Sequence, residues 1–256
     1  MRRLAFALTV FYGIALYAGP APDGRSIVKK VIDRDDGKDS IAQIDMLLTD
    51  RTGYTEARAM TAAAKDYGTL SKSLIRFTDP ANIAGTSFLS WQVKDKSDEQ
   101  FLFLPELGRD RRIVSGQKDK SFANTDYTYE DMEERKLDDD AHRLLREEKV
   151  GAYDCWVVES TPRKPSSSKY KRWIVWIPKG IFVPLRIDYH DGVPRIATKV
   201  LTVRTLEKID GFWTATESEM KDLKRNHATR MRVRSITYNS GLPDRMFTRE
   251  ALGQPQ

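Results

Sequence analysis

A mainly antiparallel β fold, α+β at most, is the class this sequence predicts, and three observations predict it. Apolar and polar residues alternate with period two in many short segments. Pro, Gly and Asp punctuate those segments at short intervals, as in Pro162, Pro178, Asp191 and Gly192. Helical spacing is scarce, and no strand–helix–strand rhythm occurs. About eleven strands are expected in one antiparallel sheet system with a few short helices.

The elements follow in order. Ser26–Arg34 places Ile27, Val28, Val31 and Ile32 at helical spacing behind Ser26 as a candidate N-cap. Gln43–Thr49 and Thr55–Lys65 read as an opening hairpin, although the Ala-rich stretch 57–64 also suits a helix. Ser73–Thr78, Thr86–Val93 and Phe101–Leu104 are strands, the last stopped by Pro105. Tyr129–Leu137 is charged and rich in helix formers. Strands resume at Cys155–Thr161, Lys171–Ile177, Val183–Tyr189, Ile196–Leu206, Gly211–Met220 and Thr229–Tyr238, and Pro243–Leu252 suits a short terminal helix.

The first 21 residues stand apart. Arg2 and Arg3 precede Leu4–Ala18, a run of 15 uncharged residues, too short to span a membrane as a helix and suited to a secretory signal peptide. Cleavage is expected after Ala18 or Ala21, leaving 22–256 as one domain exported to a periplasm. The lone Cys155 excludes an internal disulfide, and no cysteine follows the apolar run to carry a lipid anchor. With 43 Lys and Arg against 37 Asp and Glu, the small positive excess is too diluted for a nucleic-acid-binding surface.

Strand parity divides a wet face from a dry one. Arg76, Arg186, Asp188, Arg204, Arg230, Arg232 and Arg234 mark the wet parity. Ile75 with Phe77, Leu89 with Trp91, Leu185 with Ile187, and Met231 with Val233 are expected on the dry one. Three short helices cover such a sheet thinly, so it either curls upon itself or keeps an apolar hollow fit for a hydrophobic ligand. Trp173 and Trp176 stand at opposite parity and cannot both face that hollow.

Catalytic and metal signals are weak. Asp126, Tyr127, Tyr129, Glu130 and Asp131 gather carboxylates and aromatics, but they read more simply as a turn before an acidic helix start. Asp138–His142 reads as a solvated turn rather than a metal site, and His190 as a surface-turn histidine. No G-x-S-x-G or phosphate loop occurs. No enzyme, cofactor or metal is therefore expected. Arg109, Arg111 and Arg112 fall at a hairpin tip, a solvated turn or a rim that meets anionic lipid head groups or a membrane partner.

One series of motifs goes further. Ser73–Leu89 (SLIRFTDPANIAGTSFL), Gln100–Leu107 (QFLFLPEL), Arg111–Ile113, Ser121–Met132 (SFANTDYTYEDM), Val175–Pro178, Pro184–Tyr189, Ile209–Gly211, His227–Thr229 and Gly241–Thr248 together resemble the LolA-like family of outer-membrane lipoprotein-sorting proteins. The likeness spans about residues 25–252. Where that family usually has Gly-Ser before the motif aspartate, Asn124 and Thr125 precede Asp126; Asn tolerates the left-handed backbone nearly as Gly does. The resemblance implies a strongly curved antiparallel sheet, an incomplete β-barrel, with a few short helices over its open side covering an apolar hollow. It also implies a non-enzymatic periplasmic carrier of lipids or lipoprotein acyl chains, with a resistance–nodulation–division type inner-membrane lipid exporter as a candidate partner. An envelope sensor or adaptor working with such an exporter is the alternative, and a hydrolase centred on Asp126–Asp131 is a third.

Overall fold

The computed structural model describes residues 22–192 and 196–254. The expected signal peptide lies outside the described residues. Thirteen strands form one antiparallel sheet: β1 (Asp39–Thr49), β2 (Thr55–Tyr67), β3 (Leu70–Asp79), β4 (Ser87–Trp91), β5 (Glu99–Leu104), β6 (Arg109–Arg112), β7 (Asp140–Val150), β8 (Tyr153–Pro162), β9 (Arg172–Pro178), β10 (Arg186–His190), β11 (Lys199–Ile209), β12 (Phe212–Asp222) and β13 (His227–Tyr238). Their spatial order is β6-β5-β4-β3-β2-β1-β13-β12-β11-β10-β9-β8-β7, with β6 and β7 as unpaired edges. The sheet is open, an incomplete barrel, as the sequence predicts.

The two strands beyond the expected eleven come from charged segments. β6 is Arg-Asp-Arg-Arg, expected as a hairpin tip, and β7 is Asp140–Val150, whose start was expected as a turn. Both are edge strands, where charge is tolerated because one side faces no partner. The Ala-rich stretch lies in β2, paired residue for residue with β1 from Asp39↔Lys65 to Thr49↔Thr55, so the hairpin overrides local helix propensity.

Among the described residues one α-helix forms, α1 (Gly24–Ile32), capped by Asp23, which accepts from the Ser26 amide at 2.7 Å. The cap is thus three residues earlier than the expected Ser26. Gly24 lets α1 dock closely on β7: a Cβ there would sit 2.7 Å from the Arg143 amide nitrogen. Tyr129–Leu137 is not a helix; it holds a single 3-10 turn at Glu130–Met132, because its carboxylates are drawn into tertiary bonds. The terminal segment is likewise two 3-10 turns, Asp244–Phe247 and Glu250–Gly253.

The two faces of the sheet are now distinct. The inner face carries α1 and the connection from residue 113 to 139. Its apolar side chains form three clusters joined by shared members: Met132 and Met231 link the first to the second, and Val175 links the second to the third. On the outer face, Leu74, Leu89 and Phe101 are covered by Leu242, Phe247 and Leu252 of the C-terminal segment. That segment is pinned by polar bonds. Arg76 Nη2 donates to the Ala251 carbonyl (2.6 Å), Trp91 Nε1 to the Phe247 carbonyl (2.9 Å), and Asp39 accepts from the Ser240 and Gly241 amides.

Candidate functional site

The inner face splits into two regions. Over β1–β5 it is filled. The segment 121–129 folds inward and drives Phe122 and Tyr129 onto Phe77, Phe88, Met60 and Leu102. The Phe88–Phe122 rings lie 5.1 Å apart and the Phe77–Phe122 rings 5.8 Å apart. The turn that delivers Phe122 uses left-handed backbone at Ala123 (φ 48°) and Asn124 (φ 62°), the conformation expected of Asn124. Thr125 takes the role of a small hydroxyl: its Oγ1 donates to the Phe122 carbonyl (2.7 Å) and accepts from the Tyr127 amide (3.2 Å).

Asp126 anchors this plug to the sheet. Its carboxylate, with no solvent exposure, accepts from Thr229 Oγ1 (2.7 Å) and Arg225 Nη2 (2.6 Å) and meets His227 Nδ1 at 2.8 Å. Asp131 does the same one turn later. It accepts from the Thr128 amide and hydroxyl, from the Tyr170 hydroxyl (2.9 Å) and from the Lys199 ammonium. Burial pushes the Lys199 amine below the ordinary lysine range, while Asp131 pulls the other way. Burial, with Asp131 adding, holds the Tyr170 phenol well above its ordinary range. Asp126 and Asp131 are each met by several donors from the sheet and its loops, and so fasten this segment to the sheet. The partners Lys199, Tyr170, Arg225, His227 and Thr229 were missed as site residues; only His227 and Thr229 carried a signal, as part of the family series.

Over β8–β11 the same face is hollow. A cavity of about 400 Å³ lies beneath α1, within the usual range for small-molecule sites. Its apolar wall is made by Val28 and Val31 of α1 with Trp173, Val175, Ile177, Ile187 and Leu201 of the sheet. Trp173 faces it and Trp176, three residues on, does not. Tyr127, Glu130, Asp131, Glu133, Glu134, Arg135 and Asp140 also line it. Arg135 is held in a bidentate pair with Asp140 (2.7 and 2.5 Å), its guanidinium 4.5 Å from the centre of the Trp173 ring.

Of the eight residues expected to line a hollow, Ile187 alone does. Ile75 and Phe77 face inward but pack into the filled cluster, Phe77 buried beneath the plug and Ile75 half-buried beside it. Met231 and Val233 stand at the inner parity of β13, opposite Met46 and Ile44 of β1, with Met231 packed against the filled cluster and the aromatic cluster beside it. Leu89 and Trp91 belong to the outer face: Leu89 pairs with Leu74, while Ile75 pairs with Phe88, so a one-residue error in relative register inverts the face. Leu185 packs with Cys155, Val157, Ile174 and Trp176, not with Ile187. The Leu185 amide donates to the Trp176 carbonyl while Arg186 also stands opposite Trp176, a bulge that breaks alternation just before β10. Arg76 is not on a solvated face; it is 8% exposed beneath the C-terminal segment. Arg230, Arg232 and Arg234 are exposed as expected.

Arg109, Arg111 and Arg112 lie on edge strand β6 and line none of the hollow. His142 meets Ser160 Oγ (2.8 Å) and the Leu137 carbonyl (2.9 Å), a structural role. His190 is buried rather than a surface-turn residue, with Nδ1 at 3.0 Å from the Ile196 carbonyl.

With this geometry the relationships of the chain become legible. A family model described as an uncharacterized protein matches residues 69–254. The chain belongs to that family. It is similar to a DUF1329 family protein from Desulfovibrio piger, with 29% identity over 90% of this chain and 97% of the other and a TM-score of 0.84. It is equally similar in structure to a putative outer membrane lipoprotein-sorting protein domain from Vibrio parahaemolyticus: 27% identity, 90% and 98% coverage, TM-score 0.84. A LolA superfamily protein from Nitrosomonas europaea shares the fold at 19% identity, 90% and 100% coverage and a TM-score of 0.69. No curated protein matches the sequence. The LolA-like resemblance read from the motifs is borne out.

Proposed function

We infer that this protein is a non-enzymatic carrier which takes up the acyl chain of a lipid, or of a lipidated protein, for transfer across a periplasm toward an outer membrane. The observation that carries the reading is the apolar hollow of about 400 Å³ between α1 and β8–β11. Likeness to a putative lipoprotein-sorting domain supports it, as does the basic-then-apolar start of the sequence. Each methylene buried there contributes on the order of 0.8 kcal/mol before ordering costs, so a long chain reaches micromolar affinity without a strong polar contact. Asp126 and Asp131, each committed to several donors, favour a carrier over the hydrolase reading.

The test is displacement of an uncharged fluorescent apolar probe from delipidated protein by long-chain lipids. Saturable displacement at micromolar lipid is expected. Failure of every long-chain lipid to displace the probe, or of the probe to bind, would contradict the carrier reading.

A further inference from the structure

Four neighbouring turns leave one end of the sheet at the same level. The pairings Thr49↔Ala228, Asp222↔His227, Lys199↔Asp222, Tyr189↔Lys199 and Arg172↔His190 set that level strand by strand. The turns are 50–54 after β1, 222–226 after β12, the described parts 191–192 and 196–198 after β10, and 163–171 after β8. Two of them are tied together. The Leu223 amide donates to the Thr198 carbonyl (2.9 Å), and the Lys224 ammonium donates to Asp191 (2.7 Å). Lys169 of a third joins them around a surface groove of about 490 Å³.

Three of these turns each hold a large apolar side chain out in solvent. Tyr54, Ile196 and Leu223 are 69%, 60% and 53% exposed. Further round the same end, Leu107 is exposed on the β5–β6 turn, between Glu106 and Arg109. The fold does not need the Tyr54 ring. Its turn is closed by Asp50, whose carboxylate accepts from the Thr52 amide (2.8 Å), the Thr52 hydroxyl (2.7 Å) and the Tyr54 amide (3.0 Å). Single exposed apolar residues need no explanation, but several on adjacent tips make a contact surface.

The charge on the same turns has one sign. Their described residues hold seven Lys and Arg against three Asp. All three carboxylates are engaged: Asp50 in its own turn, Asp191 by Lys224 and Asp222 by Arg225. Arg51, Arg163, Lys164, Lys169 and Lys171 have no carboxylate partner among the described residues, and Arg163 bonds only the Asp140 carbonyl. The carboxylates beside the 163–171 turn do not offset them. Glu130 is buried, Glu133 is held by Lys118, and Asp119 faces Lys120. Basic side chains around protruding apolar tips match an anionic lipid surface, where the tips enter the interface and the cations meet the head groups. A bilayer deforms around separate tips, whereas a protein would need a matching pocket for each.

We propose that this end of the sheet docks on an anionic lipid bilayer through Tyr54, Ile196 and Leu223 and the basic residues around them. None of these side chains lines the hollow, so docking and uptake are separately testable. Delipidated protein, expressed from the whole chain, is sedimented with vesicles of phosphatidylcholine alone or with about one part in four of phosphatidylglycerol. The anionic vesicles should bind at least tenfold more tightly, and raising NaCl from about 50 to about 500 mM should remove most of that difference. The triple variant Arg51→Glu, Lys164→Glu, Lys171→Glu should lose at least tenfold. The pair Tyr54→Ser, Leu223→Ser should lose severalfold. As a control of equal charge, Lys94→Glu, Lys149→Glu and Lys208→Glu together reverse three exposed lysines at the opposite end of the sheet and should stay within about twofold of wild type. All the substituted side chains are exposed, and urea denaturation should show every variant folded. Equal binding to both kinds of vesicle overturns the proposal, as does a loss in the control as large as in the first triple variant, or unchanged binding by the Tyr54, Leu223 pair. Binding to neither vesicle also overturns it and leaves an acidic protein surface as the occupant of these turns.

Discussion

The β1–β5 and β8–β11 regions of the inner face are built from the same strand alternation, yet one is filled and the other is hollow. What separates them is not strand chemistry. Phe77 and Phe88 on one side, and Trp173 and Val175 on the other, are equally apolar and equally inward. The connection between β6 and β7 makes the difference. It spends Phe122 and Tyr129 on the first region and presents Tyr127 and a run of charged side chains, Glu130 to Lys136, to the second. A curved sheet of this kind thus acquires a cavity by where its longest connection is fastened, and Asp126 and Asp131 are the fastenings.

The comparison breaks most readily in the filled region. Phe77→Ala or Phe122→Ala leaves a void among close-packed rings and should cost about 3–5 kcal/mol of unfolding free energy. Urea denaturation measures this, and lipid affinity of the folded fraction should stay within about twofold. A loss of affinity without loss of stability would mean that the filled region is the site.

In the hollow region the order of effects reverses. Ile187→Glu places a charge on the wall of the cavity, where desolvation beside an acyl chain is costly. Affinity for an uncharged lipid should fall more than tenfold with a smaller loss of stability. Arg186→Glu, next in sequence but exposed on the outer face beside Asp188, should keep affinity near wild type. The reverse outcome would invert the face assignment at β10.

The smallest effect lies at Asp98, beside Glu133 and Glu134 of the long connection. Burial, with Glu133 adding repulsion, pushes the Asp98 carboxyl up to about 6 from the ordinary 3.8. Because the folded-state value is raised, the unfolded chain loses this proton first as pH climbs. Stability contributed by the protonated form therefore declines between about pH 4 and pH 6 and is absent above. Asp98→Asn should flatten that decline and raise stability at pH 7 by on the order of 1 kcal/mol. Unfolding followed at pH 4, 5, 6 and 7 checks the sign; a variant less stable than wild type at pH 7 would refute it.

Much of this architecture was legible before the fold was seen. Alternation located eleven strands, and the family series located the 121–132 segment that proves to be the plug. What alternation could not supply was relative register. Ile75 and Leu89 each sit at a defensible parity within their own strands, but pairing of Leu74 with Leu89 sets them on opposite faces. Nor does parity survive the bulge before β10, which sends Leu185 away from Ile187. Charge misled in one place: Arg76 marks no wet face, because its guanidinium spans to the C-terminal carbonyls under a covering segment far away in sequence. The hollow itself was foreseen as a consequence of thin helical cover, but its position depends on one helix and one long connection, whose docking is a matter of tertiary contacts.

The central claim, that the acyl chain lies under α1 and not against the filled region, is tested most directly by photocrosslinking. Monoacylglycerol carrying a photoreactive group near the end of its tail is bound, irradiated, and mapped by peptide mass spectrometry. Adducts are expected on α1 between Gly24 and Ile32 and on β9–β11 around Val175, Ile187 and Leu201. Adducts confined to Ile75, Phe77 and Phe88 would contradict the account.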